Sequence, residues 1–161
     1  MPGFVARHPS WVIAISGFVV IAAAALGWWW LRSVAIGAYP DDPQQVELGR
    51  AVYVGHCASC HGDQLQGQPK WRERLPNGRL PAPPHDKTGH TWHHADGVLF
   101  GITKRGLNSF VPGNYETDMP VFGEVLTNSE IWAVLAFIKH SWPPDIQARQ
   151  ERITQQWQKR K

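Results

Sequence analysis

The order of apolar and polar residues separates a long apolar N-terminal run from several shorter helical patterns. Residues 11–31 carry no charged side chain, and as a helix they would span about 30 Å, the thickness of a bilayer's hydrocarbon core. Tryptophans stand at both ends of this run, where interfacial aromatic residues occur. We therefore predict one N-terminal transmembrane helix. The competing interpretation is a signal peptide cleaved near residues 35–37, although the apolar region of such peptides is normally only about 7–15 residues long.

Three amphipathic helical patterns follow the apolar run, at residues 43–57, 96–104 and 127–139. Asp41 or Asp42 can cap the first of them, and its opening proline suits a first helical turn. Thr127 and Glu130 form a capping box at the start of the third, whose apolar positions 131, 134, 135 and 138 share one face. These patterns predict an all-α domain.

Charge is unevenly distributed along the chain. The formal net charge of +3 is too small to indicate nucleic-acid binding, so we expect no nucleic-acid partner. The last thirteen residues hold five basic side chains and one acidic one, whereas residues 33–148 hold nine basic and twelve acidic ones. The basic tail is either a helix that lies against anionic lipid or a partner, or a frayed, solvated end.

The motif that carries chemistry is Cys57-Ala58-Ser59-Cys60-His61. Two thiols on one helical turn can add to the two vinyl groups of a porphyrin, and the next residue can supply an axial imidazole to its iron. The motif therefore predicts one covalently attached haem c, held by Cys57, Cys60 and His61. A disulfide between these two cysteines is the alternative, but such short spacings are usually redox or metal sites.

The motif and the helix before it resemble the first helix and haem motif of class I c-type cytochromes. In that family a glycine and an aromatic residue four positions later pack against the C-terminal helix, and Gly49 and Tyr53 match these positions. The resemblance implies that they contact Val134 and Phe137. It covers residues 43–142 and implies a cytochrome c-like domain of several helices around one haem, preceded here by the transmembrane helix.

The only methionine besides the initiator is Met119, which makes it the only candidate for a thioether ligand. Its Met-Pro-x-Phe context resembles the distal-ligand loop of class I cytochromes, and the resemblance implies that Met119 binds iron opposite His61. By itself, a methionine here could equally belong to the core.

Residues 62–90 are rich in glycine and proline and predict a loop around the haem. The resemblance implies that the Pro83 carbonyl accepts a hydrogen bond from His61, and that the Trp92 indole N–H donates to a haem propionate. Trp92 could equally be a packing residue. Four histidines lie close together in this region, and they either form a copper or zinc site or line the haem, cap a helix or face solvent: His85, His90, His93 and His94.

Together these features predict a membrane-anchored monohaem electron carrier rather than an enzyme. The alternatives are a haem-based sensor or catalytic subunit with a displaceable distal ligand, and an accessory subunit of a larger redox or metal-handling complex. Expected partners are the lipid bilayer and membrane redox proteins: a quinol-oxidising complex, a dehydrogenase or a terminal oxidase. Because c-type attachment occurs outside the cytoplasm, we expect a single-pass protein of the bacterial inner membrane whose haem domain faces the periplasm. The predicted order is a cytoplasmic N-terminus (1–10), anchor (11–31), linker (32–42), cytochrome c domain (43–142) and basic tail (143–161).

Overall fold

The computed structural model describes residues 36–113 and 115–160, and all regular structure in these residues is helical. The α-helices are α1 (Pro43–His56), α2 (Ala58–His61), α3 (Asp96–Arg105), α4 (Asn128–His140) and α5 (Pro144–Gln158), with short 3-10 turns at Thr91–His93 and Leu107–Ser109. The all-α prediction is confirmed for this part of the chain. The predicted membrane helix at 11–31 lies outside the described residues. Within them, no helix has the length and apolar character needed to cross a bilayer.

Side-chain caps determine where α1 and α4 begin. The Asp42 carboxylate accepts hydrogen bonds from two backbone N–H groups in the first turn of α1, so Asp42 rather than Asp41 is its cap. Thr127 accepts from the backbone N–H of Glu130, whose carboxylate accepts in return from the N–H of Thr127. The predicted capping box of α4 is confirmed.

Helices α1 and α4 approach each other most closely at Gly49. A Cβ atom added to Gly49 would overlap the backbone carbonyl of Ala133 and lie 2.9 Å from Cβ of Phe137. One turn further along α1, the ring centroids of Tyr53 and Phe137 are 5.3 Å apart. The predicted contact with Phe137 is confirmed. At the point of closest approach Gly49 meets the backbone of Ala133, one residue before the predicted Val134, which is itself buried in the core.

The core forms mainly around α4. Its predicted apolar face is fully buried, at Ile131, Val134, Leu135 and Ile138. Val52 and Tyr53 of α1 belong to the same core cluster. Trp142, just after α4, is also buried, and its indole N–H donates to the carbonyl of His85 at 2.7 Å. This bond ties the end of α4 to the loop that follows α2.

The C-terminal segment is a docked helix. Gln150 of α5 is 0% exposed, and its amide donates to the His94 carbonyl and to the Asp96 carboxylate. That carboxylate also pairs with Nζ of Lys139 at 2.8 Å, in an ion pair whose side chains are only 13% and 5% exposed respectively. Helix α5 therefore covers polar groups at the start of α3, and the alternative of a frayed tail is wrong for residues 144–158.

Replacement of Gly49 by alanine should lower the free energy of unfolding by at least about 2 kcal/mol, because overpacking against a backbone carbonyl forces α1 and α4 apart. Gly55 is the matched control, since it lies in the same helix with nothing within 4 Å of its added Cβ. Gly55→Ala should be neutral or stabilising by up to about 1 kcal/mol. Denaturant unfolding of the holoprotein measures both effects, and equal stabilities of the two variants would contradict the proposed contact.

Candidate haem-attachment site

Cys57 lies between α1 and α2, and Cys60 and His61 lie within α2. The Cys57 N–H still donates to the Tyr53 carbonyl at 2.8 Å, and the one-turn helix α2 then carries Cys60 and His61. Both cysteines are free thiols, with Cys60 exposed and Cys57 partly buried. The disulfide alternative is absent from the structure.

Burial, followed by the effect of Cys60, raises the pKa of the Cys57 thiol to about 11. Cys57 is therefore protonated at neutral pH, whereas a thiol that binds a metal or attacks as a nucleophile acts as the thiolate. The raised pKa of Cys57 therefore weighs against a thiolate metal site at this pair of cysteines.

The His61 ring is buried, and the Pro83 carbonyl oxygen lies 2.8 Å from its Nδ1 atom. Because a carbonyl can only accept, Nδ1 carries the proton and Nε2 keeps its lone pair. Burial lowers the pKa of His61, and the bond to Pro83 partly opposes this shift. The ring is thus a neutral imidazole with a free donor nitrogen, which is the form that binds a metal.

The backbone around His61 is also restrained. Gly62 follows with φ near +80°, a conformation that favours glycine, and ends α2. Its carbonyl accepts a hydrogen bond from the Tyr53 hydroxyl at 2.8 Å. Tyr53 therefore connects the contact between α1 and α4 directly to the residue after His61.

The four histidines predicted as a possible metal cluster separate into different environments. The His85 ring stacks on that of His61, with centroids 3.9 Å apart and 22° between the planes. His90 stacks on Trp71 and meets the edge of His94, while the exposed His93 lies against Trp92: the centroid distances are 5.4, 5.6 and 3.8 Å. Among residues 36–113 and 115–160, no three histidine, cysteine, aspartate or glutamate side chains are grouped to hold a metal. The copper or zinc interpretation is therefore unsupported there.

Trp92 packs against the core, but its indole Nε1 atom is buried without a hydrogen-bond partner. The Arg149 guanidinium from α5 lies 4.8 Å from the centroid of its ring. A buried N–H without a partner is rare in folded proteins and indicates an acceptor that the protein itself does not supply. A carboxylate of a bound cofactor could fill this role.

Met119 is partly buried and packs against the core cluster, as do Cys57 and Trp92. The acidic residues just before it pair with Arg79, through Asp118 and through Glu116 at 3.5 Å. The loop that carries Met119 is thereby joined to the loop that leads to Pro83. The sequence did not identify Arg79 as important, because one arginine in an irregular loop carries no local pattern.

These groups fit a covalently bound haem: free thiols, a neutral histidine with an available Nε2, a thioether, and an indole N–H that lacks an acceptor. The arrangement is that of a c-type haem protein. The family model described as Cytochrome c matches residues 46–142, and the chain belongs to this family. Its cofactor is therefore covalently attached haem c, and its general role is electron transfer, consistent with an electron carrier rather than an enzyme. No curated protein and no solved structure matched the chain.

Lowering the pH from about 7 towards 5 should decrease the free energy of unfolding. Burial lowers the native pKa values of His90 and His94. As the pH falls through the ordinary histidine pKa of about 6.5, the unfolded chain therefore binds protons at these histidines before the native protein does. Denaturant unfolding of the holoprotein across this range should show a shallower pH dependence for His94→Gln than for wild type. His140→Gln, at an exposed histidine outside the run, is the comparison variant for the replacement itself. A pH dependence in His94→Gln as steep as that of wild type would contradict the role assigned to His94.

Proposed function

We propose that this protein is a membrane-anchored class I cytochrome that carries single electrons through one haem, with His61 and Met119 as axial ligands. One haem is proposed because the chain contains two cysteines, enough for a single motif. The observation that carries the proposal is the hydrogen bond from His61 Nδ1 to the Pro83 carbonyl, directly after the cysteine pair. It leaves Nε2 as the donor atom and raises its basicity.

The bound haem supplies a one-electron ferric/ferrous couple. If His61 and Met119 both hold the iron, they would leave it no site for a substrate, so the proposed chemistry is electron transfer without bond making. A thioether donor favours the ferrous state and raises the reduction potential relative to a second imidazole. Trp92 would donate its buried N–H to a propionate carboxylate.

The proposed location follows from the apolar run at residues 11–31. We infer that it anchors the protein in the bacterial inner membrane and that the haem domain faces the periplasm. An anchor restricts diffusion to the membrane surface and so raises the local concentration of membrane partners. The partners we propose are a quinol-oxidising complex, a dehydrogenase or a terminal oxidase.

Replacement of Met119 by alanine should leave haem covalently attached but open one axial position. The ferric visible spectrum should lose the weak far-red band of methionine–iron ligation, and the reduced protein should bind carbon monoxide rapidly. Wild type should show the band and resist carbon monoxide. An unchanged spectrum in Met119→Ala would remove Met119 from the proposed site. Absence of the band in wild type would favour a sensor or catalytic subunit.

The double variant Cys57→Ala, Cys60→Ala is the matched control for attachment. It keeps His61 and Met119 but should lose all haem that survives denaturing electrophoresis. Covalent haem in this variant would contradict the assignment of both cysteines.

Expression of the whole chain in a bacterium that matures c-type cytochromes tests the anchor. Haem-stained protein should sediment with membranes, resist extraction by alkaline carbonate, and dissolve only with detergent, because about twenty apolar residues bind the bilayer far more tightly than a charged surface does. Release by carbonate, or a mature N-terminus close to residue 37, would indicate a cleaved signal peptide instead.

A further inference from the structure

One short stretch of chain contacts the His61 ring in two different ways. The Pro83 carbonyl oxygen lies 2.8 Å from Nδ1 at the edge of the ring. His85, two residues later, covers a face of the ring at a centroid distance of 3.9 Å and an angle of 22° between planes. The hydrogen bond holds one ring atom near its acceptor but tolerates some rotation of the ring about the Cβ–Cγ bond. A flat group against the face opposes this rotation.

His85 is itself held both at its ring and at its backbone. Its Nδ1 atom lies 2.8 Å from the Thr91 hydroxyl oxygen. Its backbone N–H donates to the Leu65 carbonyl at 2.8 Å, and its own carbonyl accepts from the Trp142 indole at 2.7 Å. These contacts come from the loop after α2, from the 3-10 turn and from the end of α4. The position of the His85 ring is therefore restrained by the surrounding structure.

We propose that His85 is a positioning residue for His61: its stacked ring sets the rotational orientation of the His61 imidazole plane, and hence the direction of the imidazole π orbitals at the iron. This inference rests on the proposed function, in which His61 is an axial ligand. A leucine could fill the same volume, but it has no flat face. The role therefore requires a ring at this position, and the Thr91 hydroxyl keeps that ring in place.

Ferric holoproteins of the full chain carrying His85→Leu or His85→Phe test this role. Proton NMR shifts of the haem methyl groups and the ferric EPR g values both depend on the orientation of the axial imidazole plane. The leucine variant should change the order or spread of the methyl shifts and broaden the EPR signal. The phenylalanine variant keeps a flat ring but loses the bond to Thr91, so it should change them less. His140→Leu is the control, since His140 is an exposed histidine whose ring bonds to the Pro40 carbonyl, and its spectra should equal those of wild type.

A wild-type methyl pattern in His85→Leu would overturn the proposal. Equal changes in the leucine and phenylalanine variants would also overturn it, because the ring face would then not be what orients His61. If His85→Leu does not mature with covalent haem, Thr91→Val loosens the ring without removing it. A methyl-shift change in Thr91→Val then supports the role, and unchanged shifts overturn it.

Failure of the proposed function would look different from failure of this inference. Without His61 and Met119 on the iron, wild type itself would lack the far-red band and the low-spin ferric EPR signal. If wild type has both features and the His85 variants leave the methyl shifts unchanged, only the positioning role of His85 is wrong.

Discussion

The close contact between α1 and α4 determines where the residues of the proposed haem site lie. Gly49 lets the two backbones approach to a distance that any side chain would prevent. Tyr53, one turn later, packs on Phe137 and donates its hydroxyl to the Gly62 carbonyl. Because His61 precedes Gly62 directly, the helix contact and the position of the His61 imidazole are parts of one rigid unit. Separation of the helices would therefore displace His61 as well.

A second buried interaction, the ion pair between Asp96 and Lys139, joins α3 to α4. Asp96 lies in the first turn of α3 and Lys139 near the end of α4, so each charge complements the dipole of its own helix. Gln150 of α5 donates to the same carboxylate. A buried ion pair is stable only when its remaining hydrogen-bonding groups are satisfied, and α5 contributes to this. The C-terminal helix thus belongs to the folded domain and also places Arg149 over Trp92.

The parts of this structure that follow from local chemistry could be predicted from the sequence. The capping box at Thr127 involves residues three positions apart, and the haem motif lies within five residues. The role of Gln150 could not be predicted, although its place on the same helical stripe as Ile146 and Ile153 was a signal that a polar residue there is buried. The stack of His85 on His61 joins residues 24 positions apart through an irregular loop, and no periodicity encodes such a contact.

The two sides of the proposed haem site are held by interactions of different strength. On the His61 side the restraints are a part-buried hydrogen bond made by a buried histidine and a stacked ring, which lose less to solvent. On the Met119 side, the loop is tied through Arg79 to carboxylates whose side chains are more than half exposed. Exposed ion pairs contribute about 0–1 kcal/mol and weaken with salt. The fold therefore restrains the His61 imidazole strongly, whereas the Met119 thioether, which packs against the core but belongs to a weakly tied loop, would depend more on its proposed bond to the iron. If one of the two proposed iron ligands is displaced by another molecule, we expect Met119 to leave before His61.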